Sequence, residues 1–432
     1  MIIQRDLIDK IKTFLKRKEY LAIVGPRQAG KTVFLNLLKD YLITQQISAK
    51  NIKIISFEDR RLLFEFENDP ISFINLYLEK TGKKTYLMID EFQYVEEGGQ
   101  KLKLIFDQIK NLKIIVTGSS SLDIKARLGK YMVGRVLSFN LYPFHFSELL
   151  KAKKSELINR YQEKNQKIIN WLLRKKNMTL KNHEDIFANR FLKLFNEYCL
   201  FGGYPAVVLS ETIIEKQKVL NDIYNNYLLK DIKGLLELAT DKNLILLTEF
   251  LAGQIGSLLV YQNLSQASKL DYRNVVRHIN ILKETYICET VSPYFTNIQK
   301  EISKNPKVYF LDLGLRNALI KNTTDLFLRP DAGSIAENQI YIKLKNIFND
   351  QAKILFWRTK AGGEMDFVVR YQGEILPIEV KFSDFNQPKM SKSFSAFINS
   401  FQPKRGLILT KNYFGQRKLN NSSIVFWPIY LI

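Results

Sequence analysis

The sequence predicts an α/β protein whose first module is built on a buried parallel sheet. Three observations carry that prediction. The apolar run Tyr20-Leu-Ala-Ile-Val24 leads into the glycine-bearing stretch GPRQAGKT at 25–32, and a helical pattern begins immediately behind it. Tyr86-Leu-Met-Ile89 runs straight into the acid pair Asp90-Glu91, and Lys113-Ile-Ile-Val116 runs into Thr117-Gly-Ser119. Apolar runs without alternation suit strands covered on both faces. Each of these runs delivers polar residues to its C-terminal end, the edge at which α/β sheets bind ligands.

Bulk properties bound the rest. A chain of 432 residues exceeds the ~250–300 at which a single core stops growing, so two to four domains are expected. Hydrophobic residues at 46% and charged residues at 25% describe an ordinary folded protein. The formal charge of +22 favours a polyanionic partner, either nucleic acid or an anionic membrane surface, although a lysine-rich proteome would supply part of it. Cys199 and Cys288 stand far apart and outside any C-x-x-C pattern, as buried thiols in a reducing compartment do. The N-terminus lacks a signal-peptide pattern, and no apolar run approaches the ~18–20 residues of a membrane span. A cytoplasmic location is therefore expected.

Taken in order, residues 2–18 carry helical spacing, and GPRQAGKT then fits the phosphate-loop pattern G-x-x-x-x-G-K-[ST] at every fixed position. Gly25 and Gly30 let the backbone curl so that N–H groups converge on phosphate oxygens at a helix N-terminus. The nucleotide-binding set is Gly25, Pro26, Arg27, Gln28, Ala29, Gly30, Lys31, Thr32 and Val33. Lys31 is expected to reach the β- and γ-phosphates of a nucleotide, and the Thr32 hydroxyl to ligate Mg²⁺. Ile52–Phe57 is a second strand. Asp90 is expected to hold Mg²⁺ directly or through water, and Glu91 to act as general base on the attacking water. Thr117 or Ser119 is placed to sense the γ-phosphate or orient the water, with simple capping of the strand end as the alternative. Arg135, with Arg127 a turn or two earlier, is a candidate arginine finger for a neighbour's site, or else a partner for local acids.

The set GPRQAGKT, MIDEFQ, VTGSSS, VGR and Leu141-Tyr-Pro-Phe-His-Phe-Ser-Glu148 resembles the prokaryotic AAA-type ATPases that carry an uncharacterised C-terminal region. Gln93 matches the glutamine that follows the acid pair there, while Met-Val-Gly-Arg replaces the family's usual Leu-Ala-Gly-Arg and leaves Arg135 in place. The resemblance implies an ASCE-type P-loop NTPase fold and ATP as the nucleotide. Residues 199–207, CLFGGYPAV, are similar to that family near the junction of its helical lid with the next domain. Tyr224–Ile232 is also similar, and so is Asn305-Pro-Lys-Val-Tyr-Phe-Leu-Asp-Leu-Gly314 at the entry to the C-terminal domain.

Lys151–Lys181 is lysine-rich and is expected to be a solvated helix or an insertion. Residues 244–291 suit a winged helix-turn-helix, with helices over Leu244–Gly256, Ser265–Leu270 and Tyr272–Glu284. Its wing strands would be Ile287–Val291 and Val308–Leu311. Tyr272, Arg273, Asn274 and Arg277 are the candidates for a major groove, protein contact being the alternative use of that face. Further on, Asp366 precedes the strand Ile375–Lys381, where Glu379 and Lys381 are two apart. With Glu337 from the leading helix these match the D…(E/D)-x-K constellation of PD-(D/E)XK nucleases, in which carboxylates hold Mg²⁺ against a phosphate and lysine stabilises charge.

The expected architecture is a P-loop ATPase core over 1–150, a helical lid or linker over 151–240, a winged helix over 241–312 and a restriction-endonuclease-like α/β domain over 313–432. The expected activity is Mg²⁺-dependent ATP hydrolysis that drives or switches an activity on DNA. Two further readings stand beside it: an ATP-gated nuclease, and a non-cutting, nucleotide-switched binder of DNA or a protein. A homo-oligomer is compatible with each.

Overall fold

The computed structural model describes residues 2–78, 83–119, 131–227 and 242–432. Arg127 and the end of the Tyr224–Ile232 stretch lie outside them. The chain divides into two units, Met1–Phe144 with Glu284–Tyr286, and His145–Lys283 with Ile287–Ile432.

The first unit is the expected parallel sheet. Its strands are β1 (Tyr20–Val24), β2 (Ile52–Ser56), β3 (Thr85–Asp90), β4 (Leu112–Gly118) and β5 (Val136–Asn140), in the order β2-β3-β4-β1-β5. All four pairings are parallel. Every residue of β1, β3 and β4 is buried, which is why their centres, Leu21–Val24, Leu87–Ile89 and Ile114–Val116, are apolar without alternation. The helix Lys31–Thr44 packs Phe34, Leu35, Leu38 and Leu42 against Leu21, Ile23, Met88 and Ile115. At roughly 1.5–3 kcal/mol for each fully buried large apolar side chain, that face holds the helix start fixed against the sheet. Because β4 lies between β1 and β3, its C-terminal end separates the glycine loop from the acid pair.

The second unit holds a seven-stranded mixed sheet. Its strands are β6 (His183–Glu184), β9 (Lys353–Arg358), β10 (Glu364–Tyr371), β11 (Glu374–Val380), β12 (Arg405–Thr410), β13 (Tyr413–Leu419) and β14 (Ser422–Pro428), ordered β6-β13-β14-β12-β11-β10-β9. β9, β10 and β11 form an antiparallel meander, and the helix Lys392–Phe401 then crosses over to β12, parallel to β11. Phe394, Phe397 and Ile398 of that helix fill the core with Leu355, Val368, Ile408 and Phe426.

The lysine-rich segment is not a wholly solvated helix: Ile158–Leu172 buries Tyr161, Ile168, Trp171 and Leu172, and the Tyr161 hydroxyl donates to the Ile432 carbonyl at 3.1 Å. Just past it, His183–Glu184 adds an edge strand by pairing with Tyr413 and Phe414, through a register that the lysine-rich sequence does not advertise.

Three helices, Lys242–Gly253, Tyr261–Ser268 and Tyr272–Glu284, precede an antiparallel ribbon of β7 (Cys288–Val291) and β8 (Lys307–Phe310). The middle helix starts and ends earlier than the expected Ser265–Leu270, because Lys269 enters the left-handed region at φ 57° and stops it. The ribbon's connection is fastened to the C-terminal sheet. Tyr294 N donates to the Phe356 carbonyl at 2.5 Å, and the fully buried Glu301 pairs with Lys353 and with Arg370 at 3.1 Å.

The two family-like strings of this unit interlock. The helix Ala188–Phe201 ends at Gly202, whose φ 72° and ψ −161° are open only to glycine. A Cβ there would collide with the Asp312 carboxylate, and one on Gly314 would collide with the Phe201 carbonyl. Asp312 accepts from Gly203 N at 2.8 Å and Leu315 N at 2.9 Å, although burial pushes its carboxyl up to about 6. Asn317 Nδ2 donates to the carbonyls of Cys199 and Leu200 at 2.9 and 3.0 Å, satisfying the last turn of the helix. Cys199 and Cys288 are free, buried thiols, and burial pushes Cys288 up to about 12.

Candidate nucleotide site and C-terminal acid cluster

The glycine loop is shaped by its surroundings. Gly25 lies so close to the chain that a Cβ would strike the Leu141 carbonyl oxygen, which only glycine avoids. Gln28 at φ 61° and Gly30 at φ 89° curl the loop, and Gly30 caps the helix that opens with Lys31. Pro26 and Ala29 are buried, Arg27 and Gly30 half-buried, and Gln28, Thr32 and Val33 exposed. Lys31 Nζ donates to the loop's own carbonyls, Gly25 at 3.1 Å and Pro26 at 3.0 Å, so the ammonium sits inside the curl. Burial pulls that ammonium down to about 8, against the opposing pull of Glu91 and Asp90.

The acids meet the loop at the end of β4. Thr32 Oγ1 donates to Asp90 Oδ2 at 2.5 Å, and Thr117 Oγ1 donates to Asp90 Oδ1. Thr117 Oγ1 also accepts from the Glu91 backbone N–H at 3.1 Å. Thr117 can do this because β4 pairs it with Ile23 on one side and carries it beside Asp90 on the other. Ser119, the other hydroxyl named from sequence, is half-buried one residue beyond the strand, so Thr117 is the hydroxyl seated among the carboxylates.

Glu91 occupies the left-handed region at φ 56° and ψ 43°, an uncommon backbone for a residue with a Cβ. Its carboxylate accepts from Gln93 Nε2, while Gln93 Oε1 is buried without a partner. The donor set fits a magnesium nucleotide: a hydroxyl and adjacent carboxylates as hard oxygens, beside a buried ammonium and a glycine-shaped curl.

One residue of this site is missing from the sequence reading. Arg5, 5% exposed, donates from Nη1 to the Ala29 carbonyl at 2.8 Å and from Nη2 to the Tyr142 carbonyl at 2.5 Å. It props the glycine loop against the segment after β5. No motif surrounds it, and its spacing to the loop carries no signal.

Arg135 is not beside its own loop. Its carbonyl accepts from Tyr20 N at 2.8 Å, which puts it at the start of β1, about 16 Å from the loop at ~3.3 Å per strand residue. Its guanidinium lies 3.4 Å from Asp107 and over the Phe106 ring at 5.8 Å.

Burial, then the charges of Glu337 and Glu379, push the Asp366 carboxyl up, so the three acids stand near one another. Glu379 Oε1 accepts from Ser391 Oγ at 2.6 Å and pairs with Lys381 Nζ at 3.2 Å, while its buried Oε2 has no partner among the described residues. Asp366 Oδ2 accepts from Val380 N at 2.7 Å. Glu337 is taken by Tyr309 Oη at 2.5 Å and by Lys307 Nζ at 3.0 Å, and Lys307 also reaches Glu364 at 2.5 Å. Among the described residues, no group of three or more His, Cys, Asp or Glu is arranged to hold a metal ion. Of the three acids expected to gather on Mg²⁺, Glu337 is paired with Lys307 of β8.

On the helix Tyr272–Glu284, Tyr272, Arg273 and Arg277 are exposed. Asn274 is turned to the helix start, its Nδ2 donating to Asp271 at 2.6 Å. Among the described residues, no helix is long and apolar enough to cross a membrane.

Comparison with known proteins gives matches in series along the chain. Residues 17–150 match the family model described as AAA domain, 192–326 match Domain of unknown function (DUF8612), and 332–432 match Domain of unknown function (DUF4143). An uncharacterized protein of Haemophilus influenzae is 25% identical over 100% of this chain and 99% of its own length. Among solved structures, a Walker-type ATPase of Pyrococcus abyssi is 13% identical, with a TM-score of 0.40 over 74% of this chain and 96% of that one. The Aeropyrum pernix Orc1 protein in complex with DNA is 13% identical, with a TM-score of 0.29 over 74% and 93%. At these scores neither structure supports an inference about this chain.

Proposed function

We propose that the chain, an AAA-type P-loop ATPase domain followed by two domains of unknown function, binds ATP with Mg²⁺ and hydrolyses it. One observation carries the reading: Lys31, Thr32, Asp90, Thr117 and Glu91 meet at a single sheet edge, with each side chain oriented by a named partner. Bound Mg²⁺ supplies charge that neutralises the phosphates. Lys31 leaves its loop carbonyls for phosphate oxygens, Thr32 and Asp90 supply oxygens on the metal side, and Thr117 holds Asp90 in place. Glu91 takes the proton of the water that attacks the terminal phosphorus as the bond to the β-phosphate oxygen breaks. Magnesium-dependent phosphate release by the full chain tests this, and its absence at saturating ATP would reject it. Because Arg135 starts at the far end of β1, its finger role requires a second copy of the chain.

The purpose of the ATPase is proposed to be a nucleotide-switched hold on DNA without cleavage, supported by the +22 charge and by the exposed Arg273 and Arg277. If both arginines meet phosphates, the Arg273→Ala/Arg277→Ala double variant lowers the slope of log K against log salt by about 1.8. Fluorescence anisotropy with a duplex at several salt concentrations reads that slope. An unchanged slope removes this helix from the interface.

A further inference from the structure

Lys307 is a β8 residue whose side chain is 1% exposed, and its ammonium is surrounded by acids contributed from two other elements. Glu337 comes from the helix Ala332–Phe348 at 3.0 Å, and Glu364 opens β10 at 2.5 Å. The Phe356 ring of β9 lies 5.4 Å from the ammonium. Tyr309, two residues on and therefore on the same face of β8, donates to the same Glu337 oxygen that Lys307 uses. The other Glu337 oxygen faces Gly256, where a Cβ would come within 3.3 Å of it. The Glu337 and Glu364 carboxylates both pair with this ammonium, so the cluster already holds a cation of its own.

We infer that Lys307 is a built-in cation that takes the metal's place in the C-terminal acid cluster, making this a non-cleaving domain and binding the β7–β8 ribbon to its sheet. A divalent ion between Glu337 and Glu364 would sit on top of the ammonium, and like charges at that separation repel. Glu337 faces Lys307, while Glu379 is held by Lys381 and Ser391. The Glu301 pairs with Lys353 and Arg370 fasten the other end of the ribbon's connection to β9 and β10.

The test is Mn²⁺ titration of the nucleotide-free full chain, read by the EPR signal of free Mn²⁺. The arms are wild type, Glu337→Gln, Lys307→Ala and Lys307→Ala/Glu337→Gln. The wild type is expected to show no bound Mn²⁺ that Glu337→Gln removes. Lys307→Ala, with the repelling charge gone, is expected to gain one Mn²⁺ site that the wild type lacks, which the added Glu337→Gln abolishes. A wild-type site lost in Glu337→Gln, or a folded Lys307→Ala chain that gains none, overturns the inference. Should Lys307→Ala melt before it can be titrated, the wild-type and Glu337→Gln pair still decides. Plasmid nicking by wild type that is lost in Asp366→Asn would also overturn it.

Discussion

Glu91→Gln is expected to lower ATP turnover by about 10²–10⁴-fold while leaving ATP bound, the range that loss of a positioned general base produces. The amide keeps the shape of the side chain, and the backbone N–H of residue 91 still donates to Thr117 Oγ1, so the sheet edge is undisturbed. What disappears is the acceptor for the water's proton. The loss thus falls on kcat, the pattern of an interaction made only in the transition state. Phosphate release at saturating ATP, set beside equilibrium binding of a fluorescent ATP analogue, separates the two effects. Turnover equal to wild type would remove Glu91 from the chemistry and leave Gln93 holding a carboxylate without catalytic purpose.

Gly202→Ala is expected to cost about 3 kcal/mol or more of stability, combining ~1–3 kcal/mol of backbone strain with a collision in a packed interior. At φ 72° and ψ −161° alanine has no comfortable conformation, and its methyl would displace the Asp312 carboxylate. That carboxylate holds Gly203 N and starts the helix Leu313–Leu319 through Leu315 N. Relaxing the clash therefore unpairs buried donors. Urea unfolding of the full chain monitored by far-UV circular dichroism reads the loss. A midpoint within error of wild type would mean the turn relaxes freely and that Gly202 is an ordinary helix end.

The parts of the molecule that were legible in sequence are those in which chemistry and strand lie on one short segment. β1 with its glycine loop, and β3 with Asp90-Glu91, announce themselves because a strand buried on both faces must be apolar until it reaches the ligand edge. The choice between Thr117 and Ser119 was not legible. It depends on β4 lying between β1 and β3, a fact of sheet order rather than of local pattern. Arg5 and Lys307 were missed for a shared reason. Each reaches its partners across elements distant in sequence, Arg5 to Ala29 and Tyr142, and Lys307 to Glu337 and Glu364. Within Asn305-Pro-Lys-Val-Tyr-Phe310, Lys307 looks like the polar member of an alternating strand, with nothing to mark it as buried. Asp366 lies on β10 and Glu379 on β11, with Lys381 one residue past it, but spacing along the chain cannot show that Lys307 of β8 pairs with Glu337.

The central claim is that the curl closed by Lys31 holds the phosphates of ATP. Isothermal titration of Mg²⁺·ATP into wild type and Lys31→Ala tests it most directly. Wild type is expected to bind one ATP per chain, and Lys31→Ala to lose binding by at least about a hundredfold, since each contact to a charged phosphate contributes roughly 1.5–3 kcal/mol and the ammonium spans more than one. Equal affinity in the two proteins would contradict the account.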